Sequence, residues 1–207
     1  MSDPERLDPV GRVLVVGSLN VDRTMVVGLL PGVGETVSAE RQYARFGGKG
    51  ANAAVASARL GGRVAMVGRV GDDAEGAEYL CRLQGEGIDT TGIQMAVGET
   101  TGQAQILVDS SGENCIAVHG GANAGLVPEW VDEILGELDP RPQDVILAQL
   151  ECPMATVRTV AAWARSSGAT FVLNPSPWDG AIDLEPIPCD VLVVNAIELG
   201  HCGLDYP

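Results

Sequence analysis

From Pro128 onward, helix-length stretches alternate with short apolar runs, and that alternation leaves few folds open to the chain. Residues 128–138 and 153–167 read as helices, and residues 145–150, 170–173 and 191–194 as strands. Strands with near-continuous apolar character are buried on both faces, as in a parallel sheet covered by helices. Residues 13–16 (VLVV) form a run of the same kind closed by Gly17. Its C-terminal end delivers Ser18, Asn20 and Asp22, and open α/β sheets bind their ligands at that end. Alanine-rich residues 51–60 predict a helix stopped by Gly61-Gly62, and residues 64–70 predict a strand. Asp72 or Asp73 is placed to cap a second helix running to about Gln84. Residues 25–27 and 35–46 are extended pieces around a Pro-Gly turn, and 103–108 with 114–118 make a hairpin around Asp109-Ser110-Ser111-Gly112-Glu113. The expectation is a doubly wound α/β domain over 13–207 with a mostly parallel sheet. A small β lid is drawn from 25–46 and 94–118, and residues 1–12 are a flexible N-terminus.

Charge narrows the partners. The formal net charge is −15 over 207 residues, which disfavours a nucleic-acid backbone or an anionic membrane surface and favours small molecules. Residues 1–10 carry three acidic side chains and no apolar core of a secretory signal. No stretch reaches the roughly 18 apolar residues of a membrane span, so a cytoplasmic protein is expected. The five cysteines are odd in number, widely spaced and without a C-x-x-C pair, which predicts mostly buried, reduced thiols rather than a zinc site. Lys49 is the only lysine, and it lies in a glycine-rich turn.

That turn, Gly47-Gly48-Lys49-Gly50-Ala51-Asn52, is neither a Walker A loop, since Gly50 follows the lysine, nor a dinucleotide fingerprint. Its glycines let backbone approach a ligand, and Lys49 and Asn52 offer donors to hydroxyl or phosphate oxygens. Taken alone, the turn is equally a tight entry into a helix.

The order of motifs is more specific. Gly17-Ser18-Leu19-Asn20-Val21-Asp22, Gly34-Glu35-Thr36, Phe46 through Asn52 and Gly68-Arg69-Val70-Gly71-Asp72-Asp73 together resemble the ribokinase-like (PfkB) family of carbohydrate kinases. Gly98-Glu99-Thr100-Thr101-Gly102, His119-Gly120-Gly121-Ala122-Asn123-Ala124, Gln149-Leu150-Glu151, Leu173-Asn174-Pro175-Ser176-Pro177 and Asn195-Ala196-Ile197-Glu198 extend the resemblance to Glu198. The resemblance implies transfer of the γ-phosphoryl group of ATP to a pentose, D-ribose giving ribose 5-phosphate, with Mg²⁺ and a monovalent cation such as K⁺. It implies a sugar site of Asn20, Val21, Asp22, Gly48, Lys49, Gly50, Ala51, Asn52 and Glu151. Asn195 is implied on the nucleotide side, Glu198 on the metal side, and a homodimer through the lid. The family's G-A-G-D turn, with its catalytic aspartate, has no counterpart in the 207 residues, so no catalytic base is expected here and the chain is expected to be inactive alone. A non-catalytic sugar-binding remnant, or a fructose or nucleoside kinase of the same family, stays open at this point. Outside the resemblance, Asp72 and Asp73 are read as helix caps and His119 as structural.

Overall fold

The computed structural model describes residues 11–178 and 187–201. The N-terminal segment expected to be flexible lies outside the described residues up to position 10. Arg12, counted in that segment, is the first residue of a strand.

Two sheets share the chain. The first contains β1 (Arg12–Val16), whereas β2 (Asn20–Val27) and β3 (Ala39–Gly47) belong to the second. The chain then returns through α1 (Lys49–Arg59), β4 (Arg63–Gly71), α2 (Ala74–Gly85) and β5 (Ile93–Ala96) to the first sheet. β6 (Gly102–Val108) and β7 (Asn114–His119) complete the second, and a 3₁₀ turn at Gly121–Gly125 leads away from it. The remainder is α3 (Pro128–Leu138), β8 (Val145–Gln149), α4 (Met154–Ser167), β9 (Thr170–Asn174), β10 (Val191–Leu192) and α5 (Ala196–His201). The main sheet has the order β10-β9-β8-β1-β4-β5 with parallel pairing throughout. The second has the order β3-β2-β6-β7, antiparallel except between β2 and β6.

The apolar runs alternate between two cores, as strands buried on both faces require. Leu14 and Val16 pack with Val131, Leu135, Val157 and Val160 of α3 and α4, while Val15 packs with Ala51, Ala54, Tyr79 and Leu83 of α1 and α2. The lower edge is tied by Arg12, whose backbone N–H donates to Asp144 Oδ1 at 2.7 Å and whose guanidinium donates to Oδ2 at 2.6 Å. Burial is the largest influence on Asp144 and pushes its carboxyl up. The Arg12 and Arg141 donors outweigh it and hold the group below the usual Asp range.

Three expectations are corrected. Residues 94–96, assigned to the lid, are a main-sheet edge strand, since Gly68–Gly71 pair in parallel with Ile93–Ala96 and Ile93 and Ala96 are buried there. The first lid strand begins at Asn20 rather than at residue 25. Of the four described cysteines only Cys152 is buried, because Cys81 sits on an outer position of α2 and Cys115 on β7. Among the described residues no helix is long and apolar enough to cross a membrane.

Candidate functional site

β1 has β4 on one side and β8 on the other, and the chain reaches β4 first. The crevice beyond the C-terminal ends of β1 and β8 is therefore the sheet's topological switch point. Two side chains meet there. Ser18, just after β1, donates its hydroxyl to Glu151 Oε2 at 2.5 Å, and Glu151 follows β8. The same Oε2 accepts the Lys49 backbone N–H at 2.9 Å, at the first turn of α1. A carboxylate at a helix N-terminus is stabilised by unpaired N–H groups and the helix dipole. Glu151 is thus held across the sheet and not spent as a cap of α4, whose start has no side-chain cap.

The glycine turn is built for this approach. Gly48 has φ +85°, in the region that favours glycine, and a Cβ there would lie 2.8 Å from the Asn20 nitrogen. At Gly50 a Cβ would lie 2.7 Å from backbone of Gly17 and Ser18. Ala51 N–H donates to Ser18 O at 3.0 Å, which locks turn and strand end together. Tyr79 closes the rear, donating its hydroxyl to Gly47 O.

β2 leaves this crevice as a lid strand and carries Asn20, Val21 and Asp22 with it. Val21 points into the α1/α2 core and holds the strand down. Asp22 is half-buried, and no hydrogen-bond donor reaches its carboxylate among the described residues. Burial first, and then the negative charge of Glu151, raise its pKa above the usual Asp value. Asp22, left without a donor, and the oxygen of Glu151 that Ser18 and Lys49 do not occupy are acceptors that a polyol with several O–H groups would complete.

A cavity of about 380 Å³ opens beside Glu151, with Asn20, Asn123 and Glu151 on its polar side and Val118, Leu150, Cys152 and Pro177 among its apolar lining; Asp22, two residues along β2 from Asn20, is outside that lining. Burial pushes the Cys152 thiol up to about 12, with Glu151 adding to the effect, so the thiol is a packing group. A larger groove of about 730 Å³ between β3, α1 and α2 contains neither carboxylate. Asn52 is exposed and lines that groove together with Arg45, Arg59 and Arg82. Lys49 is half-buried at the start of α1, beside Gly50 and Ala51, which are buried.

Asn195 and Glu198 bond to each other. Asn195 N–H donates to Glu198 Oε2 at 3.0 Å and Glu198 N–H to Asn195 Oδ1 at 2.9 Å, a reciprocal cap on α5. Among the described residues no group of three or more His, Cys, Asp or Glu side chains is arranged for a metal ion. The residues around Glu198 therefore do not by themselves make a Mg²⁺ site. Asp73 accepts from Gly76 N–H at 2.7 Å as the cap of α2, as its position in the sequence foretold. It also accepts from Thr101 N–H at 2.7 Å.

Two residues of the site escaped sequence reasoning as functional groups. Ser18 is expected from the sequence at the ligand-binding end of β1 but with no role of its own, and Asn123 stands there only as part of His119-Gly120-Gly121-Ala122-Asn123-Ala124. Their partners lie 133 and 103 residues away in sequence, so no local signal pointed to them.

A doubly wound sheet with a polar crevice at its switch point, beside a separate small sheet, defines an α/β protein with a small-molecule crevice. The chain belongs to the pfkB family of carbohydrate kinases, whose family model matches residues 10–202. It is 40% identical to the ribokinase of Haemophilus influenzae over 163 residues, which are 79% of this chain and 53% of that protein. Against the deoxyribokinase of Salmonella typhimurium it is 34% identical over 188 residues, 90% of this chain and 61% of that protein. The solved structure of Arabidopsis thaliana ribokinase complexed with ribose and ATP superposes with a TM-score of 0.78 at 32% identity, covering 93% of this chain and 62% of that one. The chain thus spans between half and two thirds of the length of these relatives.

Proposed function

We propose that this chain forms the sugar-binding part of a ribokinase-type enzyme that phosphorylates a pentose, D-ribose first, at its hydroxymethyl oxygen. The observation that carries the reading is Glu151 at the switch point, an acceptor beside a cavity with one polar and one apolar side, with the donor-free Asp22 on β2 near enough to feel its charge. A pentose offers hydroxyl donors on its edges and C–H groups on its faces, and so matches both. In this reading Asn20, Asp22 and Glu151 hold hydroxyls, and Gly48, Gly50 and Ala51 bring backbone close to the sugar. Lys49 adds a donor near the crevice, while Asn52 opens on the neighbouring groove between β3, α1 and α2.

The phosphoryl donor in this reading is ATP, in keeping with the Arabidopsis relative bound to ribose and ATP. Mg²⁺ and K⁺ belong to the same reading, and Asn195 sits on the nucleotide side. Glu198 would stand on the metal side, and no step is assigned to a metal, since among the described residues Glu198 has no companion ligands. The proposed homodimer uses the lid, whose outer strands β3 and β7 expose Tyr43, Ile116 and Val118. An edge bearing apolar side chains is ready for pairing with a second copy. Sedimentation should show a dimer that Ile116→Glu converts to monomer; an identical sedimentation coefficient for both proteins would count against the lid.

The activity test is a fusion continuing this chain with the C-terminal part of the Haemophilus influenzae ribokinase. The expected result is ATP-dependent ribose phosphorylation, abolished by Asp22→Ala. A soluble fusion that phosphorylates 2-deoxy-D-ribose in preference to ribose would move the assignment toward the deoxyribokinase relatives. A soluble fusion without turnover on ribose, 2-deoxy-D-ribose, D-fructose or adenosine would refute the kinase reading.

A further inference from the structure

Asn123 sits in the 3₁₀ turn after the lid hairpin, 2% exposed, and all of its side-chain polar atoms are engaged with β1–β2. Its Oδ1 accepts the Leu19 N–H at 2.9 Å. Its Nδ2 donates to the Leu19 carbonyl at 3.0 Å and to Asn20 Oδ1 at 2.8 Å. A backbone N–H only donates and a carbonyl only accepts, so Leu19 leaves Asn123 one possible amide orientation; the flipped amide would set donor against donor and acceptor against acceptor. The orientation then passes to the next side chain. With Nδ2 of Asn123 facing it, Asn20 must turn its own oxygen inward, and its Nδ2 is left without an acceptor among the described residues, on a side chain that lines the cavity. The approach is close enough that a Cβ on Gly102 would lie 2.2 Å from Asn123 Nδ2 and 2.3 Å from Asn20 Oδ1.

We infer that Asn123 is a positioning residue that fixes the polarity of the sugar site by holding Asn20 as a donor. It rests on the sugar-binding reading above. The site then presents a fixed pattern, with an N–H₂ donor at Asn20 and carboxylate acceptors at Asp22 and Glu151. Such a pattern selects a neutral ligand that offers a lone pair on one oxygen and O–H donors on its neighbours, and it disfavours an anionic ligand, which would meet two carboxylates. Asn123 itself need not touch the sugar.

The test uses the ¹⁵N-labelled full chain with D-ribose as the probe. Without ligand, the Asn123 side-chain amide protons should be protected from exchange with water, and those of Asn20 should exchange at least tenfold faster. Asn123→Asp supplies a switch. Ionised at pH 8, the new carboxyl only accepts, so Asn20 turns its N–H₂ toward it, becomes protected, and ribose affinity falls at least tenfold relative to wild type. Protonated at pH 5, helped by burial, the carboxyl donates again and the ratio to wild type recovers to within threefold. Taking the ratio at each pH removes the effect of Asp22 titrating in both proteins. An affinity ratio that does not change between pH 5 and pH 8 would mark a merely structural role and overturn the proposal. So would a protected Asn20 amide in the wild-type chain, a result available even if Asn123→Asp does not fold. Failure of the wild-type chain to bind ribose would refute the sugar reading, while the exchange pattern would still decide the polarity.

Discussion

Asp22, the acceptor proposed to hold a sugar hydroxyl, works against the fold that carries it. Half-buried, close to the negative charge of Glu151 and without a donor, its carboxyl has a pKa raised above the usual Asp value. A carboxyl whose folded-state pKa is raised is penalised in its ionised form. Its unfavourable contribution is present above the folded pKa and disappears as pH falls below the unfolded value. Asp22→Asn should therefore raise the melting temperature at pH 7 while weakening ribose binding at least tenfold, a trade-off common where sites hold strain. Scanning calorimetry with ribose titration checks both, and a lower melting temperature would contradict the electrostatic argument. The same sign governs binding in the wild type. Ribose affinity should decline on acidification with an inflection above the usual Asp range, since protonated Asp22 loses one acceptor oxygen to O–H.

The elements differ in how far the sequence reveals them. Buried parallel strands and amphipathic helices were legible, because continuous apolar runs such as residues 13–16 have few other uses. Two strands were not. β2 starts with Asn20, Asp22 and Arg23, polar residues that hide an extended segment, and only pairing of Asn20 with both Gly47 and Gly102 makes it a strand. β5 is only four residues long, too short to carry a pattern of its own, and its place is fixed by register with β4. In the site, Asp22 and Glu151 were legible through their motifs, whereas the bonds of Ser18 and Asn123 depend on chain crossings that no local pattern records. Asp73 joins two elements, capping α2 and bonding Thr101 at the entry to β6. Asp73→Ala removes the cap and leaves Thr101 N–H without its acceptor, at about 1–3 kcal/mol. Urea unfolding should show that loss together with faster amide exchange along Gly102–Val108. A loss below about 0.5 kcal/mol, the range of ordinary surface changes, would show that the junction carries no weight.

Across the whole molecule, one parallel sheet supplies the crevice and a second sheet its roof, so integrity of the sheet's base should matter to a site at its other end. Arg12→Met would strip the guanidinium from Asp144, which is 2% exposed, at a cost on the order of 3 kcal/mol for breaking a buried pair. Because the Asp144 pKa is lowered in the fold, its contribution is present above the unfolded Asp value and is lost as pH falls through the lowered one. The variant should therefore differ from wild type in melting temperature at neutral pH and converge with it in acid; a constant difference down to strong acid would contradict the pairing. The proposed function rests on Asp22 and Glu151 as the holders of a sugar. Isothermal titration of D-ribose into the wild-type chain and into Asp22→Ala puts this to the question. The expected result is one saturable site in the wild type, weakened at least tenfold in the variant, in line with about 1–3 kcal/mol for each hydroxyl left unpaired. Equal affinities in the two proteins, or no binding by a folded wild-type chain, would contradict it.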